Sequence, residues 1–235
     1  MSAIIYTLAM VQITIACVTL YLHRSMTHRT VKFHPVVEHL MRFWLWLTTG
    51  MITKEWVAIH RAHHQHSDTE RDPHSPRHYG IWRVLFMGWK LYVDASKNKK
   101  MIRELGVGTP HDWIETRVYT PHSLAGILLM LVIDCLLFGP GVGSLVWGVQ
   151  MIWIPFFAAG VINGLCHWWG YRNVNNGNSS RNLYPWAVWI GGEELHGNHH
   201  DNGTAAKFSQ KWWEFDIGWM YICILKFFGL AKLRA

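Results

Sequence analysis

Residues 122–165 read HSLAGILLMLVIDCLLFGPGVGSLVWGVQMIWIPFFAAGVINGL, and how they are read decides the fold. Asp134 is the one formally charged residue in the stretch. Gly139-Pro140-Gly141 is a turn signal, and it divides the run into two apolar segments, Leu124–Phe138 and Val142–Leu165. Two helices meeting at that turn make a hairpin long enough to enter and leave a bilayer. A third uncharged run, Ala3–Leu22, holds about 20 residues, enough at ~1.5 Å each to cross a hydrocarbon core of ~30 Å. Spans are therefore expected at about residues 3–22, 123–139 and 142–165.

The charges support this division. All 22 Lys and Arg lie in residues 23–121 and 166–235, with none in 1–22 or 122–165. Basic residues flanking short spans stay in the cytoplasm, so both blocks are expected on that side, with the N-terminus and the Gly-Pro-Gly turn outside. The 235 residues are 50% hydrophobic but only 16% charged, well under the ~25% of soluble domains. That composition excludes a disordered chain and argues against a water-soluble globule. A cleaved signal peptide would need a basic start and a small-residue cleavage site, and neither precedes Leu22.

Two further apolar runs, Phe43–Thr53, short and bounded by Arg42 and Lys54, and Trp212–Leu230, broken by Glu214, Asp216 and Lys226, read as helices at the interface or against the spans. Asn173–Ser180 reads as a loop. The four cysteines, Cys17, Cys135, Cys166 and Cys223, form no CxxC pair, so neither a disulfide framework nor a Cys-type zinc finger is supported. The net charge of +7 could suggest nucleic acid. Its best patch, Lys97, Lys99, Lys100 and Arg103, lies on the expected cytoplasmic side, where lipid headgroup or coenzyme phosphate contact, or equally a merely solvated loop, is the better reading.

The chain carries 16 histidines, and their clustering matters more than their number. The clusters are His23…His28, His60-Arg-Ala-His63-His64 and His196-Gly-Asn-His199-His200, with His167 directly after the last span. On a helix, i and i+4 share a face and i+3 lies beside it. His60 and His64 can thus grip one ion while His63 reaches a second, and His196, His199 and His200 repeat the pattern. Five residues turn a regular helix by about 500°, so His23 and His28 converge only if the helix ends or bends between them. His34, His39, His111 and His122 are read as ordinary histidines, and His66, His74 and His78 as supporting or surface groups. Imidazole-rich, cysteine-free ligation suits iron, copper or zinc. Catalytic zinc uses three protein ligands, and two irons with open positions would employ the whole set.

These residues resemble the membrane fatty acid desaturases, specifically the acyl-CoA (Δ9, stearoyl-CoA-type) branch in its short, bacterial-like form. The resemblance runs from about Val11 to the C-terminus. It rests on His23-Arg-x-x-x-His28, Glu55-Trp56 before His60-Arg-Ala-His63-His64, Asp72-Pro73-His74, Asn163-x-x-x-His167 with Gly170-Tyr171-Arg172, and Gly192-Glu193-Glu194-Leu195-His196-Gly-Asn-His199-His200. It implies an all-α integral membrane protein, about three transmembrane helices under a cytoplasmic helical cap that carries the histidine boxes, in a bacterial inner membrane. One iron would take His23, His28, His60, His64 and His199. The other would take His63, His167, His196 and His200, with Asn163 reached through a water. Trp56 would line the acyl tunnel, Asp72, Glu193 and Glu194 would orient ligand imidazoles, and Arg172 would meet a headgroup or CoA.

The implied reaction is O2-dependent insertion of a cis double bond into a saturated acyl chain on CoA, a carrier protein or a lipid. With no room for a fused cytochrome b5 domain, electrons would come from a separate ferredoxin, rubredoxin or cytochrome b5 with its reductase. Animal members carry a hydrophobic helix ahead of the equivalent of Ala3–Leu22, so three spans are expected here rather than four, unless the chain is shortened at its start. The rival readings are a hydroxylase on the same di-iron scaffold and a non-enzymatic membrane metal-binding protein. The second predicts ionisable residues within the spans, and Asp134 alone qualifies.

Overall fold

Two helical segments, Ala3–Thr27 and Ser123–His167, are long and apolar enough to cross a membrane. In the computed structural model, which describes residues 2–175 and 177–234, the first begins as α1 (Ala3–Cys17) and continues unbroken as a π-helix, Val18–Thr27. A short strand, β1 (Val31–Phe33), follows. The expected helix at Phe43–Thr53 is in fact α2 (Pro35–Thr49). Its start is set by Pro35 in the first turn and by His34, whose ring accepts from the Val36 N–H. Gly50, at φ 64°, ends it in the left-handed conformation that glycine adopts freely.

The second histidine cluster lies on α3 (Thr53–His66). After it come α4 (Pro76–Tyr79), α5 (Ile81–Ser96) and α6 (Lys99–Leu105). The Lys97–Arg103 patch therefore lies mostly on a short helix.

α7 (Ser123–Ile154) reverses at Gly139, whose φ of 76° and ψ of 160° break the helix. Such a backbone is strained for any residue with a Cβ, and Pro140 starts the return helix where a missing N–H costs little. The Trp147 indole donates to the Ile127 carbonyl at 2.8 Å, and Cys135 Sγ lies 3.7 Å from Ser144 Oγ. These pairs fall on either side of Gly139, as an antiparallel hairpin requires. A π-helix, Pro155–Ile162, extends the return arm toward His167. α1 packs along the hairpin, and the Tyr6 hydroxyl donates to Asp134 Oδ1 at 2.8 Å, so one oxygen of the run's one charged residue is paired inside the bundle.

The rest of the chain adds β2 (Trp186–Ala187), α8 (His196–Asp201), β3 (Phe215–Asp216), α9 (Ile217–Phe227) and β4 (Ala231–Leu233). β1 pairs antiparallel with β4, and β2 pairs parallel with β3. The all-α expectation thus needs two small ribbons added, and the helix expected over Trp212–Leu230 covers only Ile217–Phe227. Asn173–Ser180 carries no helix or strand among its described residues.

Two arginines tie the cap to the helices. Arg24 is paired with Asp216 at 2.9 Å. Arg61 donates to the carbonyls of Met26, Thr27, Leu105 and Val107, closing the end of the first helix onto the segment after α6.

Candidate metal centre

The π-helix resolves the spacing problem of the first cluster. Its hydrogen bonds run from residue i+5 to residue i, and the His28 N–H donates to the His23 carbonyl at 3.1 Å. The π-helix ends at Thr27, between the two histidines, with His28 as its cap. Its wider turn lets residues five apart fall on one face, and their rings lie 4.8 Å apart.

Nine imidazoles gather from four segments. His23, His28, His60, His64 and His199 form one group whose nitrogens lie within 4.8 Å of one another, and His63, His167, His196 and His200 form the second. The helical-face reading of α3 holds as geometry: His60 and His64 join one group and His63 the other. α8 repeats it, with His196 and His200 in the group opposite to His199. Within the first group, His23 Nε2 is 2.9 Å from His199 Nε2, and His64 Nε2 is 3.0 Å from His199 Nε2 and 3.1 Å from His60 Nε2. In the second, His63 pairs with His200 at 3.2 Å and His167 with His196 at 3.1 Å.

The far sides of the rings explain why these nitrogens face one another. His23 Nδ1 donates to Glu193 at 2.7 Å, His63 Nδ1 to Asp72 at 3.0 Å, and His167 Nδ1 to Asp68 at 3.3 Å. A ring that donates from Nδ1 carries a lone pair on Nε2. Lone pairs are then aimed at common points, an arrangement that a cation satisfies and that repels without one. Burial, together with the surrounding imidazoles, pushes His60, His64, His196, His199 and His200 well below their ordinary range. The rings are therefore neutral, the form that binds metal. His28 Nε2 and the Nδ1 atoms of His196 and His199 are buried with no hydrogen-bond partner among the described residues. The donor set fits two iron ions: neutral nitrogens, no thiolate, and carboxylates one bond further out.

The supporting carboxylates differ from expectation in two places. Burial raises Asp72, but the His63 imidazole and the His74 N–H outweigh it and hold the carboxyl well below its ordinary range. Burial pushes Glu193 up to about 8 against the pull of Arg24. Glu194, expected to orient an imidazole, does not: it accepts from the Tyr184 hydroxyl and the N–H groups of Ile190 and Gly192, fixing the turn before α8. Asp68 takes that role instead, gripping His167 and both the N–H and the hydroxyl of Ser179. Its only sequence signal was its place between the second cluster and Asp72. Replacing Asp72 by Asn should weaken iron retention against a chelator by about 10–100-fold. Glu194→Gln should lower the melting temperature and leave retention unchanged.

Beside the first group lies a cavity of about 320 Å³. His23, His60, Asn163 and Glu193 line it, together with Val18, Met51, Ile59 and residues of α5 and α7. Trp56 also lines it, and stacks on His60 with ring centroids 4.8 Å apart and planes at 14°. His74 is buried against His63 at 4.5 Å and reaches the same wall. Arg172 donates to the carbonyls of Ser180 and Asn178, bracing the loop that presents Ser179 to Asp68.

Residues 1–221 match the family described as Fatty acid desaturase. The chain is 34% identical over 220 residues to icosanoyl-CoA 5-desaturase of Limnanthes douglasii, covering 91% of this chain and 59% of that protein. It is 30% identical over 218 residues to sn-1 stearoyl-lipid 9-desaturase of Anabaena variabilis, covering 91% and 76%. It is also 30% identical over 232 residues to Delta-9 acyl-lipid desaturase 1 of Arabidopsis thaliana, covering 97% and 72%. The chain thus spans about three fifths of the first of these proteins.

Proposed function

This chain belongs to the fatty acid desaturase family, and on that premise we propose that it is a di-iron membrane enzyme that removes two hydrogens from a saturated fatty acyl chain to leave a cis double bond. The observation that carries the reading is the pair of buried imidazole groups next to an apolar cavity that ends on His23 and His60. One iron would be held by His23, His28, His60, His64 and His199. The other would be held by His63, His167, His196 and His200, with Asn163 on the cavity wall reached through a water.

An unactivated methylene offers no acidic proton and no leaving group, so side-chain acids and bases alone do not attack it. The two irons, when bound, supply the oxidising chemistry toward O2. Reduction of one O2 to two waters takes four electrons: two from the bond being desaturated and two from a donor protein such as a ferredoxin, a rubredoxin or cytochrome b5.

The residues of this chain prepare the site for that chemistry. Glu193, Asp72 and Asp68 hold the rings of His23, His63 and His167 from behind, which fixes tautomer and direction before any substrate arrives. Trp56, stacked on His60, gives the cavity a rigid aromatic wall where the alkyl chain passes the metal. An alkyl chain carries no polar mark at mid-length, so position is read by depth in an apolar pocket; Δ9, the position named for two of the relatives above, is the one proposed here.

The topology belongs to the same proposal. Three spans, at about residues 3–22, 123–139 and 142–165, would place every histidine of both groups on the cytoplasmic side of the membrane. The exposed apolar surface supports the membrane setting of this proposal: only 17% of the most apolar stretch of Ser123–His167 is buried within the protein, unlike the core helix of a soluble fold.

The test is expression in membranes with a ferredoxin and its reductase, followed by fatty acid analysis. An alkene supports the reading. A hydroxylated chain would overturn it in favour of a hydroxylase on the same scaffold.

A further inference from the structure

The cavity opens on an apolar rim. Of the large hydrophobic residues that line it, Trp89, Val93 and Leu124 are also exposed, at 49%, 44% and 64%. Trp89 and Val93 lie on α5 and Leu124 in the first turn of the α7 hairpin. The rim does not stand alone. Along α5, Trp82 (71% exposed) and Phe86 (58%) continue the face of Trp89 and Val93 at spacings of four and three residues, the repeat of one helical stripe. The opposite face, with Val84, Gly88 and Leu91, is buried. α5 is therefore apolar on both sides, and its outer stripe runs into the exposed flank of the hairpin.

Charge near the rim tells the same story. Lys90 and Lys97 both bind Asp94, at 3.3 and 2.6 Å, and Lys99 reaches Glu55 at 3.4 Å. A thioester of coenzyme A would bring several phosphates to the mouth and would be drawn by unpaired cations. Here Lys90, Lys97 and Lys99 each face a carboxylate, no cation lines the cavity among the described residues, and hydrocarbon faces outward.

α5 is also built to sit tight on the hairpin with a break just before the rim. Met87 leaves the helical conformation (φ −124°, ψ 18°). At Gly88 a Cβ would stand 2.8 Å from the Ala159 carbonyl oxygen, so only glycine allows this approach.

Resting on the desaturase reading above, we propose that the acyl chain enters the cavity sideways from the bilayer, between α5 and the start of α7, while still esterified to a membrane lipid. The chain then moves from one apolar medium to another, and the headgroup stays at the membrane interface.

The experiment uses the iron-loaded protein in vesicles with a ferredoxin, its reductase and NADPH. One arm carries the label on the stearoyl chain of 1-stearoyl-2-oleoyl phosphatidylglycerol. The other carries it on stearoyl-CoA added to vesicles of unlabelled lipid. The expected result is labelled alkene in the lipid arm at early times, at least tenfold above the CoA arm. Val93→Arg, which puts a cation into the rim, should cut the lipid arm at least fivefold without loss of bound iron. Alkene in the CoA arm with none in the lipid arm overturns lateral entry and leaves the desaturase reading intact. Hydroxylated chains in place of alkene in either arm would overturn the desaturase reading, and this inference with it.

Discussion

His64→Ala is expected to lose bound iron and to make no detectable unsaturated product, whereas His39→Ala should keep both. His64 lies among the other imidazoles of its group: its Nε2 is 3.1 Å from that of His60 and 3.0 Å from that of His199. Its ring also stacks on His200 of the other group at 4.2 Å, with planes 16° apart. In the proposed site, removing it would delete a nitrogen from one ion's shell and the face on which a proposed ligand of the second ion rests, so both positions would suffer. His39 is equally a histidine, but it lies on α2 and stacks on Tyr119 at 6.2 Å, outside either group. Its loss should change activity by less than about twofold, as for a substitution that breaks no buried network. The readouts are iron per chain by mass spectrometry and the alkene content of the lipid extract. Equal losses in the two variants would sink the ligand assignment.

What could be read from the sequence followed from regular helical geometry. The split of His60 and His64 from His63 needs only 3.6 residues per turn, and the Gly139-Pro140 reversal needs only the chemistry of those two residues. The convergence of His23 and His28 was not legible as it occurs, because a π-helix carries no side-chain signature. It is imposed by packing against α3 and the cap and by the carboxylate of Glu193. Asp68 escaped for a related reason: its role depends on Ser179, 111 residues away, and no local pattern announces a contact of that length. Glu194 misled because adjacent acids before a histidine box read alike, yet neighbouring residues in a tight turn point in different directions. The outer stripe of α5 was hidden by Arg83, Lys90 and Asp94, which break the run of uncharged residues without interrupting the apolar face. A linear search for charge-free stretches misses a face that only the helix assembles.

The second large effect is expected at Arg24, one residue from a proposed ligand. Arg24→Leu should melt about 6–20 °C below the parent chain, from the ~3–5 kcal/mol that breaking a buried ion pair costs and ~2–4 °C per kcal/mol for a protein of this size. Arg24 is 1% exposed, and its guanidinium meets Asp216 at 2.9 and 3.2 Å and the Ala206 carbonyl at 2.9 Å. Leucine would leave the buried Asp216 without its cation. That carboxylate also accepts from the N–H groups of Trp219 and Phe208, so the start of α9 loosens with it. The damage should reach the metal centre, since the guanidinium lies 3.8 Å over the Phe208 ring, which packs on His199 at 4.6 Å and His23 at 5.6 Å. Removing the orphaned charge as well should recover part of the loss. Arg24→Leu/Asp216→Asn is therefore expected to melt above Arg24→Leu alone, read by intrinsic Trp fluorescence on heating in detergent, and to retain more iron. A single variant that melts with the parent, or a double variant no better than the single, would mean that this buried pair does not hold the cap over the histidines.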